Sequence, residues 1–297
     1  MPDSISTAQI TAYKNAVDHL LQQKESRLAG KVTHDSYVGK EGVPVEQFGA
    51  VAAQKRTSRH SDTPLLNITQ ARRWVHPVDY EWASLIDNVD KLRLNIQPEG
   101  PYTQAAAMAH QRVKDIEILG AFFATSVTGE TGTGTEAFDT TNYRVGVDVG
   151  GTASGLNAAK IKNALFMLML ANKGDVTEQA YMAISAYEHD LLLKEIQVIN
   201  KDYNGGAAVL ENGAVKRFAG FEFGIMDNDL FTITSGNRLI PSWVKSGMHM
   251  GTWQDFLVRI AERADKGHSW QVYTCQTLGA TRLQQGKVVQ VLCDDQI

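Results

Sequence analysis

The hydrophobic residues of this chain recur at two different spacings, and each spacing predicts a different kind of element. Steps of three and four residues predict amphipathic helices over 4–29, 101–125 and 156–172, and a shorter helix over 186–195. Pro101 favours the start of the second helix, because the N–H that proline lacks has no helical partner in a first turn. The longest helices therefore fall before residue 175.

Strand-like patterns occupy other parts of the chain. One strand is predicted from Tyr181 (YMAIS), and from Gly213 onward the pattern is largely β, ending in QVYTCQTLGATRL and KVVQVLC. Helices lie mainly in the middle and strands toward the outer regions, without a regular alternation of strand and helix. This order predicts an α+β fold.

A polar, extended segment follows the first helix. It contains two strand-like arms, 43–55 and 65–80, on either side of a turn-rich tip at 57–64 that includes Ser-Asp-Thr-Pro. The arms carry few large apolar side chains, and an isolated two-stranded ribbon is only marginally stable in water. We therefore predict that this hairpin lies across another surface, for which a neighbouring subunit is the natural candidate.

Charge is unevenly distributed along this hairpin and after it. Between residues 55 and 73 there is one acid, Asp62, and the basic residues are Lys55, Arg56, Arg59, Arg72 and Arg73. The next segment is acidic, through Asp79, Glu81, Asp87 and Asp90. One interpretation is a solvated surface with local ion pairs, each worth less than about 1 kcal/mol. The other is that the basic hairpin of one copy lies on the acidic segment of the next, since complementary charges fix the register between subunits.

Composition limits the class of protein without identifying one. The chain has 297 residues, 43% apolar and 21% charged, with a formal net charge of -4. These values fit a globular protein and give no sign of a nucleic-acid-binding surface. The longest apolar run, 164–171, is far shorter than the ~20 residues that span a bilayer, and the first residues show no secretory signal. We therefore expect no membrane contact, and a reducing cytosol in which Cys275 and Cys293 remain thiols.

Two glycine-rich stretches are the candidates for chemistry. VGVDVGGTASG, at 145–155, is typical of the phosphate loop of sugar kinases and actin-like ATPases, in which backbone N–H groups hold phosphate and the Asp holds a metal. A phosphotransferase of that type would use the loop from Asp148 to Thr152. However, Asp148 lies in mid-chain, and no second loop of this type follows. A simple strand–turn–helix connection is the favoured interpretation.

The second stretch, GETGTGTE at 129–136, has the glycine spacing of a P-loop but places Thr135 where the lysine must be. It is predicted to be a flexible surface loop. The eight histidines are scattered without metal-binding spacing. We therefore predict that the protein is not an enzyme and uses no metal or cofactor.

The segment AAQKRTSRHSDTPLLNITQARRWVHPVDYEWASLID resembles the extended-loop region of major capsid proteins from tailed double-stranded DNA bacteriophages. The residues that carry the resemblance are Lys55, Arg56, Arg59, Asp62, Thr63, Pro64, Arg72, Arg73, Asp79, Tyr80, Ala83, Ile86 and Asp87. The closing segment QVYTCQTLGATRLQQGKVVQVLCD, with residues 279–282 at its centre, is similar to the closing strands of that family. The resemblance spans nearly the whole chain and implies the Hong Kong 97-type capsid fold.

The resemblance also implies a division of the chain into regions. These would be an N-terminal arm (1–40), an extended β-hairpin loop (41–83), a peripheral domain with a long spine helix (84–155 and 251–297) and an axial domain (156–250). The segment 128–155 would be a mobile connection between the two domains.

The function implied is assembly. The chain would form hexamers and pentamers in an icosahedral shell that encloses packaged phage DNA, contacted non-specifically. It would reside in the virion after assembly in the host bacterial cytoplasm. Expected partners are further copies of the chain, a portal, and a separate scaffolding protein, since the chain begins almost directly with its arm. A decoration protein is left open. An encapsulin-type compartment shares the fold and is an alternative, although the loop motifs favour the phage family.

The candidate site is the contact between the extended loop and a neighbour. Arginines would guide the loop onto acidic residues, and apolar side chains would add burial worth ~25 cal/mol per Å². The predicted set is Phe48, Lys55, Arg56, Arg59, Asp62, Leu66, Arg72, Arg73, Trp74, Asp79, Glu81 and Asp87. Lys55 is the only lysine near the tip, but nothing identifies a partner for a covalent cross-link.

Overall fold

The computed structural model describes residues 23–39, 42–56, 58–59, 65, 67–87, 99–151, 153–174, 177–199, 210–211 and 213–295. Of the helix predicted over 4–29, residues 4–22 lie outside this range, and 23–28 are irregular. The buried carboxylate of Asp115 explains the irregular part. It accepts hydrogen bonds from the backbone N–H groups of Arg27 and Leu28, which would otherwise bond to carbonyls of a helix.

The three remaining helix predictions are confirmed. The α-helices are α1 (Glu99–Phe123), α2 (Ala158–Ala171), α3 (Ala186–Lys194) and the short α4 (Ile196–Ile199). Helix α2 begins where the Asn157 side chain accepts a hydrogen bond from the backbone N–H of Lys160 at 2.8 Å. Helix α3 begins with a capping box formed by Ser185 and Glu188.

The strands fall into four sheets. They are β1 (Thr33–Ser36), β2 (Val43–Phe48), β3 (Gln70–Val75), β4 (Val78–Ile86), β5 (Ser126–Thr128), β6 (Gly134–Glu136), β7 (Arg144–Val145), β8 (Ala180–Ile184), β9 (Leu210–Glu211), β10 (Ala214–Val215), β11 (Arg217–Phe218), β12 (Phe221–Ile225), β13 (Ile233–Thr234), β14 (Asn237–Val244), β15 (Met248–Arg263), β16 (Ser269–Arg282) and β17 (Val288–Asp294). The strand predicted at YMAIS and the β-rich C-terminal part are confirmed.

The largest sheet has the order β11-β12-β8-β14-β17-β7, with β13 beside β14. Its centre is apolar, because Ile240, Trp243, Val289 and Val291 are all fully buried. Helix α2 contacts β17 and buries Ile161 and other apolar residues in the same core. This sheet forms the main hydrophobic core of the described residues.

A four-stranded sheet of order β1-β15-β16-β4 carries helix α1 on one face. The buried His110 of the helix contacts Thr274 of β16 at 3.1 Å, and Tyr80 of β4 donates a hydrogen bond to Glu117. The Arg282 guanidinium, at the end of β16, donates hydrogen bonds to the carbonyls of Phe122 and Ala124 and so satisfies the C-terminal end of the helix. The helix is thus fixed to this sheet along its length.

A third sheet has the order β2-β3-β5-β6, and β9 and β10 form a separate two-stranded sheet. The third sheet differs from the predictions in two respects. The second arm of the hairpin is not one strand over 65–80 but two, β3 and β4, interrupted at His76 and Pro77, since proline has no N–H for a sheet ladder. The stretch 129–136 is not a free loop, because it closes the hairpin of β5 and β6. Part of the predicted mobile connection over 128–155 is therefore regular structure.

The sheets also cross the boundaries drawn from the sequence. Strand β4 runs from 78 to 86 and pairs with β16, so the boundary between 83 and 84 cuts a strand. Strand β17 pairs with β14 in the largest sheet and does not join β15 and β16. Five of the seven residues of the last strand are apolar, and its first four residues are all buried, as expected for a strand in a sheet that is covered on both faces.

Candidate assembly interface

The hairpin of β2 and β3 has almost no core of its own. The two strands pair in antiparallel register from Val43–Val75 to Phe48–Gln70, and Val75 is the one buried residue among them. Phe48 is 68% exposed at the end where the strands separate. A large aromatic side chain in that position is available to another surface.

Arg72 has a partner within the hairpin. It lies opposite Glu46 in the register, and the Arg72 guanidinium is 2.8 Å from a Glu46 carboxylate oxygen. Both side chains are exposed, so the pair is worth less than about 1 kcal/mol. Of the two interpretations of the charge pattern, Arg72 therefore fits the solvated surface with local ion pairs.

Arg73 points in the other direction and anchors the hairpin to the body of the chain. Its side chain is 11% exposed, pairs with Glu136 of β6, and donates a hydrogen bond from Nε to the carbonyl of Leu283 at 3.0 Å. Burial acts to raise the pKa of Glu136, but hydrogen bonds from Gln285 and Arg73 outweigh it and hold the pKa below its usual value. Arg73 therefore has its ion-pair partner within the chain, which the sequence did not predict.

Trp74 also makes its contacts within the same chain. Its indole N–H donates to the carbonyl of Gly129 at 2.8 Å, and its ring lies against Gly132. A Cβ on Gly132 would lie 3.2 Å from that ring, and Gly132 has a positive φ of 72°. The glycine-rich stretch therefore binds the Trp74 side chain through a hydrogen bond and leaves room for its ring.

The described tip residues remain exposed. Lys55, Arg56 and Arg59 all face solvent, and the Arg56 side chain donates to the carbonyl of Ser58 at 2.8 Å. Asp62 and Leu66 lie outside the described residues. The positive charge that faces outward is thus at the tip.

The acidic residues lie on the face of the four-stranded sheet opposite to helix α1. Residues of β4 alternate, so that Tyr80 and Trp82 face the helix while Asp79 and Glu81 face away. Asp87, also exposed, follows the end of the strand. The structure therefore brings Asp79 and Glu81 together on a face that no described helix covers.

Neighbouring strands hold these carboxylates in place. Asp79 accepts a hydrogen bond from Thr277 at 2.6 Å, and Glu81 accepts one from the Tyr273 hydroxyl at 3.0 Å. The bond to Glu81, with a second contribution from Cys275, raises the pKa of Tyr273 to about 12. The exposed Arg259 is paired with Tyr273 in the strand register, so the face is not uniformly acidic. Within the described residues, no ion pair joins the loop arginines to Asp79 or Glu81.

The sequence did not identify the residues that bind the Arg73 side chain. Glu136 and Leu283 are far from the hairpin in sequence, and no local spacing connects them with it. A second buried group was also missed, in which Arg238 pairs with Glu188 and Asp295. A signal for part of it exists, because Ser185 and Glu188 have the spacing of a capping box.

The glycine loop at 145–155 forms the expected connection between a strand and a helix. The Gly151 N–H donates to the Asp148 carbonyl at 3.1 Å, and the Asn157 side chain donates to the Val149 carbonyl at 3.0 Å before helix α2 begins. Thr152 lies outside the described residues. No group of three His, Cys, Asp or Glu side chains in the described part of the chain could hold a metal ion. No helix in that part is both long and apolar enough to cross a membrane.

The fold of this chain is similar to those of solved phage capsid proteins. The capsid of cyanophage P-SCSP1u is 14% identical, with a TM-score of 0.70 over 95% of this chain and 91% of that chain. The head of Helicobacter pylori bacteriophage KHP40 is 9% identical, with a TM-score of 0.68 over 95% of each chain. The capsid of Ralstonia phage GP4 is 11% identical, with a TM-score of 0.67 over 96% and 95% of the two chains. The fold is therefore the Hong Kong 97-type capsid fold.

The sequence matches the phage capsid protein family over residues 5–295. The chain belongs to this family and is a structural major capsid protein, located in the virion capsid, where its copies assemble into a shell. Comparison with curated protein sequences gives no match. None of these findings supports the phosphotransferase or encapsulin alternatives.

Proposed function

We propose that the chain forms hexamers and pentamers of an icosahedral shell around packaged phage DNA, and that its hairpin joins neighbouring subunits. The observation that carries this proposal is the hairpin itself. It is anchored at its base by Arg73, whereas its outer end exposes Phe48 and the basic tip. Such an element gains little stability from its own chain and gains apolar burial only on another surface.

The surface that suits the tip is the uncovered face of the four-stranded sheet. Arg56 and Arg59 are exposed at the tip, and Asp79 and Glu81 are exposed on that face. Because no ion pair joins them in the part of the chain that the structure describes, their opposite charges favour a contact between copies. Lys55 would add to the same attraction, and Phe48 would be buried beside it. Asp62, Leu66 and Asp87 remain part of the proposed contact.

We assign the regions of the fold as follows. The hairpin is the extended loop, the four-stranded sheet with helix α1 is the peripheral domain with its spine helix, and the largest sheet with α2 and α3 is the axial domain. This assignment follows the sheets, so it places β4 in the peripheral domain and β17 in the axial domain.

The role proposed for the chain is structural, without catalysis. Further expected partners are a scaffolding protein, a portal and the packaged DNA, whose contact with the wall is non-specific. Assembly takes place in the cytoplasm of the host bacterium. The net charge of -4 suits a wall that holds DNA without adhering to it.

The proposal is tested by reversing the charge at the tip. Arg59→Glu should leave the subunit folded, as measured by circular dichroism and thermal unfolding, but lower the yield of closed shells roughly tenfold. The reason is that a loss of about 1 kcal/mol at each contact is repeated across many copies. Shell yield is measured by sedimentation velocity and electron microscopy.

Arg59→Lys is the matched control, because it keeps the charge and should keep the yield. Glu81→Arg, combined with Arg59→Glu, should restore part of the yield by exchanging the two charges. An unchanged yield for Arg59→Glu would contradict the proposed contact.

A further inference from the structure

Helix α2 exposes a second apolar stripe in addition to the one that packs on the largest sheet. Ile161, Ala164 and Leu168 face the core, whereas Phe166 is 60% exposed and Leu170 is 70% exposed. The exposed stripe consists of Lys162, Phe166, Met169 and Leu170, with spacings of three and four residues along the helix, and of the exposed Lys173, which follows the end of the helix with a positive φ of 54°. We call these five residues the α2 stripe. A helix that is apolar on two faces is typical of one that is covered on both.

A recess of about 610 Å³ lies beside helix α3, at the end of the largest sheet. Its apolar wall includes Leu191, Phe231 and the half-exposed Ile233. Arg238 is buried at this recess and held by Glu188 and Asp295. Two more carboxylates, Asp229 and Asp294, also line it. The recess therefore combines an apolar wall with an excess of negative charge.

The two surfaces complement each other. The stripe offers two large apolar side chains between two lysines, and the recess offers an apolar wall with carboxylates. An apolar contact with opposite charges at its edges is the usual anatomy of a protein–protein interface.

We propose that the α2 stripe of one subunit packs against the recess of the next subunit in the same ring. This inference rests on the proposed assembly into hexamers and pentamers. Because the stripe and the recess are different surfaces, their contact is head-to-tail, and repeated head-to-tail contacts form a ring when the rotation between subunits closes. A stripe that packed on its own copy would instead give two-fold dimers.

Chemical cross-linking tests whether this contact is head-to-tail. The sample is assembled full-length protein carrying Cys275→Ser, Leu170→Cys and Ile233→Cys, treated with a short bis-maleimide. Cys293 is buried and does not compete. The expected result is a ladder of linked chains that ends at five and six. Each single-cysteine variant should stay monomeric on a denaturing gel. Assembled particles without a ladder would overturn the proposal, and so would dimers from Leu170→Cys alone.

A second experiment exchanges charges in the protein that keeps both of its native cysteines. Lys173→Glu should lower the yield of rings and shells several-fold while the thermal unfolding of the subunit is unchanged, and adding Asp229→Lys should restore much of it. Equal assembly of the wild type and Lys173→Glu would overturn this inference and leave the proposed function intact. A wild-type chain that forms neither rings nor shells, even when expressed with its phage's head genes, would overturn both.

Discussion

The largest sheet and the hairpin sheet are stabilised in different ways. In β14 six of eight residues are buried, and Ile240 and Trp243 have no exposed surface. In β2 no residue is buried, although Val43, Val45 and Phe48 are apolar. The largest sheet therefore gains its stability within one subunit, whereas the hairpin sheet depends on a few polar anchors.

The difference fits the proposal that one chain supplies both a folded body and an assembly element. A body with a closed core keeps each subunit intact before assembly. In the proposed assembly, the apolar and charged groups of a hairpin without a core are buried against a second copy. The predictions below test this contrast, beginning with the body.

The largest effect is expected from Trp243→Ala. The Trp243 ring packs on Phe122 at a centroid distance of 4.6 Å, and its N–H donates to the Lys31 carbonyl at 2.9 Å. Removing a fully buried tryptophan should lower the free energy of unfolding by about 3–5 kcal/mol. Urea denaturation of the soluble subunit measures it. Phe48→Ala is the matched control, since an exposed aromatic should change the same quantity by less than about 0.5 kcal/mol. Comparable losses in the two variants would contradict the contrast.

An intermediate effect is expected at the anchor of the hairpin. Arg73→Met removes a charge-assisted pair with Glu136 and the hydrogen bond to Leu283, and should make local opening of the hairpin easier by about 1–3 kcal/mol. Amide hydrogen exchange of 43–48 and 70–75 measures this opening. The adjacent Arg72→Met removes only an exposed pair and should change it by less than about 1 kcal/mol. Equal exchange rates in the two variants would show that Arg73 is not the anchor.

Most of the fold could be predicted because its signals are local. The periodicity over 101–125 and 156–172 reports the buried faces of α1 and α2, and both helices lie where it placed them. The break at His76 and Pro77 was missed, although Pro77 carries the signal, because an uninterrupted arm suited the hairpin pattern. The position of β17 could not be predicted, since a run of apolar residues does not say which of two sheets it joins.

The candidate site was predictable only in part, for a related reason. Charge patterning identified the arginines and the acids but could not separate Arg72, Arg73 and the tip from one another. Successive residues of a strand point to opposite faces, so Arg72 meets Glu46 while Arg73 reaches Glu136. The partners of Arg72 and Arg73 therefore cannot be told apart from the sequence alone, because they depend on the register of β3 with β5 and β6.

The smallest effect concerns the pH dependence of the same anchor. Glu136 has a lowered pKa in the folded chain, so it stays ionised at a pH where the unfolded chain already binds a proton. Its contribution to stability is complete above its ordinary pKa of 4.5 and is lost as the pH falls through the lowered folded value. We therefore expect the difference in unfolding midpoint between the wild type and Glu136→Gln to shrink as the pH is lowered from about 6 to about 3. Arg73→Met should remove part of that pH dependence, because the hydrogen bond from Arg73 is lost while the one from Gln285 remains. A difference that stays constant or grows on acidification would mean that the pair with Arg73 does not hold the hairpin in place.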